Sequence, residues 1–135
     1  ALGVKTTRFS FTDTNDIASV TQNACQSCDV IYIPTDNTAA SNAEAIANIV
    51  LANKVPVVAG EAELCKGCGV ATLSIDYYDL GFTTGEMAIE ILKNGADVSK
   101  MEVKYAPAVT KKYNAANCEA LGITIPDDYV AIATE

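Results

Sequence analysis

Three short runs rich in β-branched residues alternate along the chain with segments whose apolar residues recur at helical spacing. The runs are Val30-Ile31-Tyr32-Ile33, Val55-Pro56-Val57-Val58-Ala59 and Val70-Ala71-Thr72-Leu73-Ser74-Ile75. Ile17, Val20 and Ala24 precede the first run. Ala43, Ile46, Ala47, Val50 and Leu51 lie between the first and the second, and Leu80, Met87, Ala88, Ile91 and Leu92 follow the third. The first, a short continuous apolar run, is typical of strands buried on both faces of a parallel sheet. The alternation of the three runs with amphipathic helices predicts an open α/β fold, a three-layer sandwich with a mainly parallel sheet and right-handed crossovers.

Smaller signals fill in the remainder. Residues 4–11 are β-branched and aromatic and read as a strand, after which residues 12–15 supply side-chain oxygens suited to a helix N-cap. Pro34 closes the first run, residues 35–38 make a polar loop, and Ser41 or Asn42 caps the next helix. A short turn of helix is expected at 62–64. Asp79 opens the longest helix and Gly95 stops it. Residues 101–105 alternate as a half-exposed strand does, residues 113–121 read as a short helix, and 122–126 as a terminal packing segment. Ala1-Leu2-Gly3 resembles a helix ending on a glycine cap, which leads to the expectation that the chain is a piece of something longer.

Composition narrows the function. A length of 135 residues, 50% hydrophobic and 19% charged, suits one compact domain or one and a part. Nine Lys and Arg against seventeen Asp and Glu leave a net charge of -8, which repels a phosphate backbone or an anionic bilayer, so no nucleic-acid partner is expected. The absence of histidine removes Ser-His and Cys-His nucleophilic pairs, His-ligated zinc and a histidine general base. Apolar stretches such as Ile49-Val50-Leu51-Ala52 fall far short of the roughly 20 residues of a membrane span.

Open α/β sheets bind ligands beyond the carboxyl ends of their strands. That rule nominates Thr35, Asp36 and Asn37 after the first run, Gly60 and Glu61 after the second, and Asp76 and Tyr77 after the third. None of these ends carries a glycine-rich phosphate loop, and their acids suit amines, hydroxyls or a metal better than a phosphate. Each has a plainer reading: Asp36 and Asn37 as a turn and helix cap, Glu61 as a solvated helix-start residue. Asp76-Tyr77-Tyr78 combines a charge with two stacking faces, a common way to hold an amphiphilic ligand.

At these residues the chain resembles a known family. Residues 29–38 (Asp29-Val30-Ile31-Tyr32-Ile33-Pro34-Thr35-Asp36-Asn37-Thr38), Lys54-Val55-Pro56-Val57, Gly69-Val70-Ala71-Thr72, Asp76-Tyr77-Tyr78-Asp79-Leu80-Gly81 and the tail Leu121-Gly122-Ile123-Thr124-Ile125-Pro126 are similar to ABC transporter substrate-binding proteins of the type I periplasmic-binding-protein fold. The subgroup is the one associated with tryptophan and tyrosine uptake. The resemblance implies two lobes that close on a small molecule and deliver it to an ABC permease outside the cytoplasm, from the periplasm or from a lipid anchor at the outer face of the cell membrane. It implies no enzymatic activity. On that template residues 1–76 are most of the second lobe, and residues 77–135 return through the hinge and pack on the first, so a ligand site here is half a site. It further implies that Asp76 or Asp36 pairs with an amino acid's ammonium while Asn37 and Thr35 bond its carboxylate. An isolated fragment of this kind is expected to self-associate through Leu73, Ile75 or the helix at 89–92.

The cysteines depart from the family. Cys25-Gln26-Ser27-Cys28 and Cys65-Lys66-Gly67-Cys68 are two CxxC pairs, each just before a strand, and Cys118 is left over. With one strand between their parent strands the pairs stand about 10 Å apart at the amino-terminal sheet edge. That spacing permits a four-cysteine zinc site, one or two disulfides, or free thiols. Thioredoxin-like redox catalysis is disfavoured, because such pairs follow a strand at a helix amino terminus. The rival to a binding module is a receiver-like or other open α/β domain with an acidic metal-binding or redox role, but a receiver needs a carboxylate pair after its first strand and a lysine after its last. Neither is in place here.

Overall fold

The structure, a computed structural model, describes residues 3–133. Five strands lie in the order β1 (Ile31–Ile33), β2 (Val57–Ala59), β3 (Ala71–Ile75), β4 (Val109–Tyr113) and β5 (Val130–Ala131). β1 and β2 pair in parallel with Ile33 opposite Ala59, β2 and β3 with Ala59 opposite Thr72, and β4 and β5 with Lys112 opposite Val130. Six α-helices connect them: α1 (Ile17–Cys25), α2 (Asn37–Ser41), α3 (Ala43–Ala52), α4 (Ala62–Cys68), α5 (Tyr77–Leu92) and α6 (Ala115–Leu121). The mainly parallel α/β architecture read from the alternation is the one observed.

The chain divides into two compact units. One combines the residues up to Leu73 with those from Lys111 on, and the other is Ser74–Thr110. The segment 77–135 is therefore split, its part from Lys111 on belonging with the first strands.

The core of the first unit forms where helix stripes meet one sheet face. Ile17 of α1, Ala43, Ile46, Ala47 and Val50 of α3, and Leu64, Cys65 and Cys68 of α4 pack with Val57 and Ala59, and Ile31 and Ile33 close the cluster. Gly67 makes the close approach of α4 to α3 possible, since a Cβ there would stand 2.4 Å from the Cβ of Ala43. α6 is tied in by buried amides. Asn114 Nδ2 donates to the carbonyls of Cys65 and Lys66 while its Oδ1 caps α6 at Asn117 N, and Asn117 Nδ2 donates to Gly69 O. Asn114→Ala strands these buried carbonyls and removes the cap together, so a loss of about 1–3 kcal/mol is expected in urea unfolding. A change below ~0.5 kcal/mol would contradict this role.

Several expectations are corrected. β1 to β3 are not covered on both faces: Tyr32 is 66% exposed and Leu73 59%, with Val58 also exposed, because α1, α3 and α4 all serve the opposite face. Among the described residues, 4–11 run without strand pairing, and so do 101–105, where Val103 and Tyr105 are exposed. A β-favouring composition forms no ladder without a neighbour to accept it. Gly3 takes the left-handed φ of 71° expected of a cap, while Ala1 and Leu2 lie outside the described residues. Residues 35–38 are only partly loop, since α2 starts at Asn37, and the turn at 62–64 is a longer helix that carries both Cys65 and Cys68.

In the second unit α5 begins at Tyr77, two residues before Asp79. Its expected stripe of Leu80, Met87, Ala88 and Ile91 is half-buried, whereas Leu92 is exposed. Tyr78, Phe82, Ile89 and Leu92 form a second, exposed apolar stripe on the same helix. Among the described residues no helix is long and apolar enough to cross a membrane.

Candidate functional site

The carboxyl ends of β1 and β2 lie side by side because their register pairs Ile33 with Ala59. Gly60 N donates to Ile33 O at 2.8 Å, drawing the two strand ends together. A Cβ on Gly60 would stand 2.5 Å from Thr35 N and 2.8 Å from the carbonyl carbon of Pro34. Gly60 is thus the contact surface on which the Pro34-Thr35 backbone rests. Its part is to bring Thr35 and Asp36 next to Glu61, and no side chain is available from it for a ligand.

Each acid nominated at a strand end caps the helix that follows. Asp36 has an extended backbone, and its Oδ1 accepts from Ala39 N at 2.8 Å. Its Oδ2 takes no hydrogen bond from the described residues. Glu61 uses both oxygens, Oε2 accepting from Glu63 N at 2.8 Å and Oε1 from Leu64 N. Its carboxylate is therefore committed to α4. Asn37 is the exposed first residue of α2, its carbonyl accepting from Ser41 Oγ, and Thr35 is exposed beside Gly60.

Asp76 and Tyr77 belong to the second unit. Asp76 follows β3 directly and caps α5, its Oδ1 accepting from Tyr78 N at 2.8 Å and Asp79 N at 3.3 Å. Its Oδ2 takes no hydrogen bond from the described residues. Tyr77, the first residue of α5, is 59% exposed. Within the first unit the structure therefore gathers Thr35, Asp36, Asn37, Gly60 and Glu61 at one sheet edge, and the acids that keep a free carboxylate oxygen are Asp36 there and Asp76 in the second unit. The sequence rule treated Asp36, Glu61 and Asp76 alike, and only the cap geometry separates them.

Among the described residues no group of three or more Cys, Asp or Glu side chains lies close enough to hold a metal ion, and all five cysteines are free thiols. Cys65 and Cys68 face the core from α4, with 0% and 1% exposure, and Cys118 is buried as well. Cys25 and Cys28 stand half-buried at the end of α1. Burial pushes the Cys65 thiol up to about 12, helped by neighbouring Cys68 and Cys118, and pushes Cys68 up to about 11, helped by Glu61. Burial raises Cys25 and Cys118 also.

A raised thiol keeps its proton in the folded state at pH values where the unfolded chain has lost it. The resulting stability is complete below the ordinary value of 9.0 and is lost as pH rises toward 11 and 12. Unfolding free energy is thus expected to fall from pH 9 to pH 11, less steeply in Cys65→Ala. An unchanged slope in that variant would contradict the assignment.

Comparison with known proteins places these features in context. A family model described as ABC transporter substrate binding protein matches residues 1–135. A tyrosine-binding protein of Clostridioides difficile (strain R20291) is 38% identical over 65 residues, which are 48% of this chain and 19% of that protein. The ligand-free, open structure of CD0873, a substrate binding protein with adhesive properties from Clostridium difficile, is similar with a TM-score of 0.77 and 32% identity over 99% of this chain and 46% of that one. An ABC domain in complex with L-Trp from Streptococcus pneumonia gives a TM-score of 0.81 and 30% identity over 93% of this chain and 42% of that one. The chain spans less than half the length of these relatives.

Proposed function

Since the chain belongs to the ABC transporter substrate-binding protein family, we propose that it forms part of a receptor that binds an aromatic amino acid and hands it to an ABC permease, without chemistry of its own. The observation that carries this reading is the pair of helix-capping acids, Asp36 and Asp76, each with one carboxylate oxygen left over at a strand end. Such an oxygen accepts a charge-assisted bond from an ammonium. Asn37 and Thr35, both exposed beside Asp36, supply donors for the ligand's carboxylate or its waters.

Two relatives support the ligand class, one a tyrosine-binding protein and the other seen in complex with L-Trp. On this reading the protein works outside the cytoplasm, in the periplasm or lipid-anchored at the outer face of the membrane, and uses no zinc or other cofactor. A receiver-like role for the strand-end acids gains nothing from Glu61, whose two oxygens are both held by α4.

A thermal-shift panel of L-amino acids on the full-length protein tests the proposal. Tryptophan, tyrosine or phenylalanine should raise the melting temperature while lysine and aspartate should not. A response to none of the aromatic three would overturn it. The 135 residues alone should bind weakly, because closure of two lobes supplies much of a ligand's burial. They should also self-associate through the exposed Leu73 or the Ile89 and Leu92 stripe. A clean monomer at high concentration in sedimentation would count against that.

A further inference from the structure

We infer that Cys25 and Cys28 are the chain's site of thiol oxidation, closing a reversible disulfide across the end of α1 while Cys65, Cys68 and Cys118 stay reduced. Helical geometry continues through the pair: Gln26 N donates to Gln22 O at 3.2 Å, and Ser27 N and Cys28 N both donate to Ala24 O, at 3.1 and 3.0 Å. Two residues three apart on such a turn face the same side, with Cα atoms about 5 Å apart. A disulfide needs roughly 4.4–6.8 Å. Each thiol lies near enough for Cys28 to disfavour ionisation of Cys25, and both are half-buried, so an oxidant can reach them.

The second CxxC pair has the same spacing on α4 and lacks the access. Cys65 and Cys68 are sealed in the core cluster, and Cys68 Sγ donates to Leu64 O at 3.5 Å, back along its own helix. Cys118 Sγ is likewise directed at Val70 O. Sealed from solvent in this way, these three thiols offer an oxidant no approach path. Two identical motifs are thereby given different fates by burial alone.

The oxidant is a disulfide compound. One thiolate of the pair attacks a sulfur of that disulfide, forming a mixed disulfide and expelling a thiolate. The other then attacks the bound protein sulfur, forming the Cys25–Cys28 bond and expelling the second thiolate. The two thiol protons end on the two expelled thiolates, so two cysteine sulfurs are oxidised and one external disulfide is reduced. An oxidising setting outside the cytoplasm belongs to the proposed function, whereas the selectivity rests on the fold and is tested with the purified chain.

The reduced 135-residue chain should be incubated with oxidised glutathione, alkylated with N-ethylmaleimide and weighed by mass spectrometry. Before oxidation the native chain should take up label at Cys25 and Cys28 only. After oxidation it should take up none and be lighter by two hydrogens, and peptide mapping should join those two residues. Cys25→Ser should instead carry one glutathione on Cys28. A chain that still labels at Cys25 and Cys28 after oxidation overturns the inference, as does a disulfide that includes Cys65, Cys68 or Cys118. Zinc released on alkylation, with the pair blocked beforehand, would also overturn it and favour a metal site.

Discussion

Asp76→Asn in the full-length protein is expected to weaken binding of L-tryptophan or L-tyrosine roughly ten- to hundred-fold while leaving the melting temperature nearly unchanged. Asparagine caps a helix about as well as aspartate, so the bonds from Tyr78 N and Asp79 N to Oδ1 survive the change. What is lost is the charge on the other oxygen, the one assigned to the ammonium. Asp76→Ala removes both, and should show the same loss of affinity together with about 1 kcal/mol of stability. The two variants separate a structural acid from a recognising one. Native-like affinity in Asp76→Asn would show that the carboxylate serves α5 alone. The same comparison at Asp36, with Ala39 N as the capped donor, distinguishes the two candidate ammonium partners.

Gly60→Ala is expected to lower the stability of the 135-residue chain by about 1–3 kcal/mol, roughly 4–10 °C in melting temperature. The added methyl meets the backbone of Pro34 and Thr35 at 2.5–2.8 Å, and backbone cannot rotate aside as a side chain can. The ends of β1 and β2 must part, weakening the bond from Gly60 N to Ile33 O and moving Thr35 and Asp36 away from Glu61. Gly85→Ala is the control. Nothing lies within 4 Å of a Cβ there, and alanine in a helix interior is favoured over glycine by up to about 1 kcal/mol. Destabilisation by Gly85→Ala equal to that by Gly60→Ala would refute the steric account.

β1, β2, β3 and the α3 stripe were legible because burial writes itself into apolar periodicity. Ala43, Ile46, Ala47 and Val50 are all buried as that spacing requires. β4 was not legible, because Lys111 and Lys112 interrupt its apolar character, and what orders it is its pairing in the sheet, Lys112 opposite Val130 and Tyr113 opposite Ala131. Residues 4–11 show the converse, a strand-like composition with no pairing among the described residues. At the strand ends, the sequence rule nominated positions but could not weigh them against one another. That Glu61 is spent on capping and Gly60 on backbone contact depends on distances to Leu64 and Thr35 that no spacing encodes. The two CxxC pairs likewise differ in burial, which their identical spacing does not encode: Cys65 and Cys68 are buried while Cys25 and Cys28 are half-buried.

The most direct test of the central claim is titration calorimetry of the full-length protein with L-tryptophan, L-tyrosine and L-phenylalanine, repeated with Asp76→Asn and Asp36→Asn. The account predicts saturable binding of at least one of the three and its weakening in at least one variant. No heat from any of them, or binding that both variants leave intact, would contradict it.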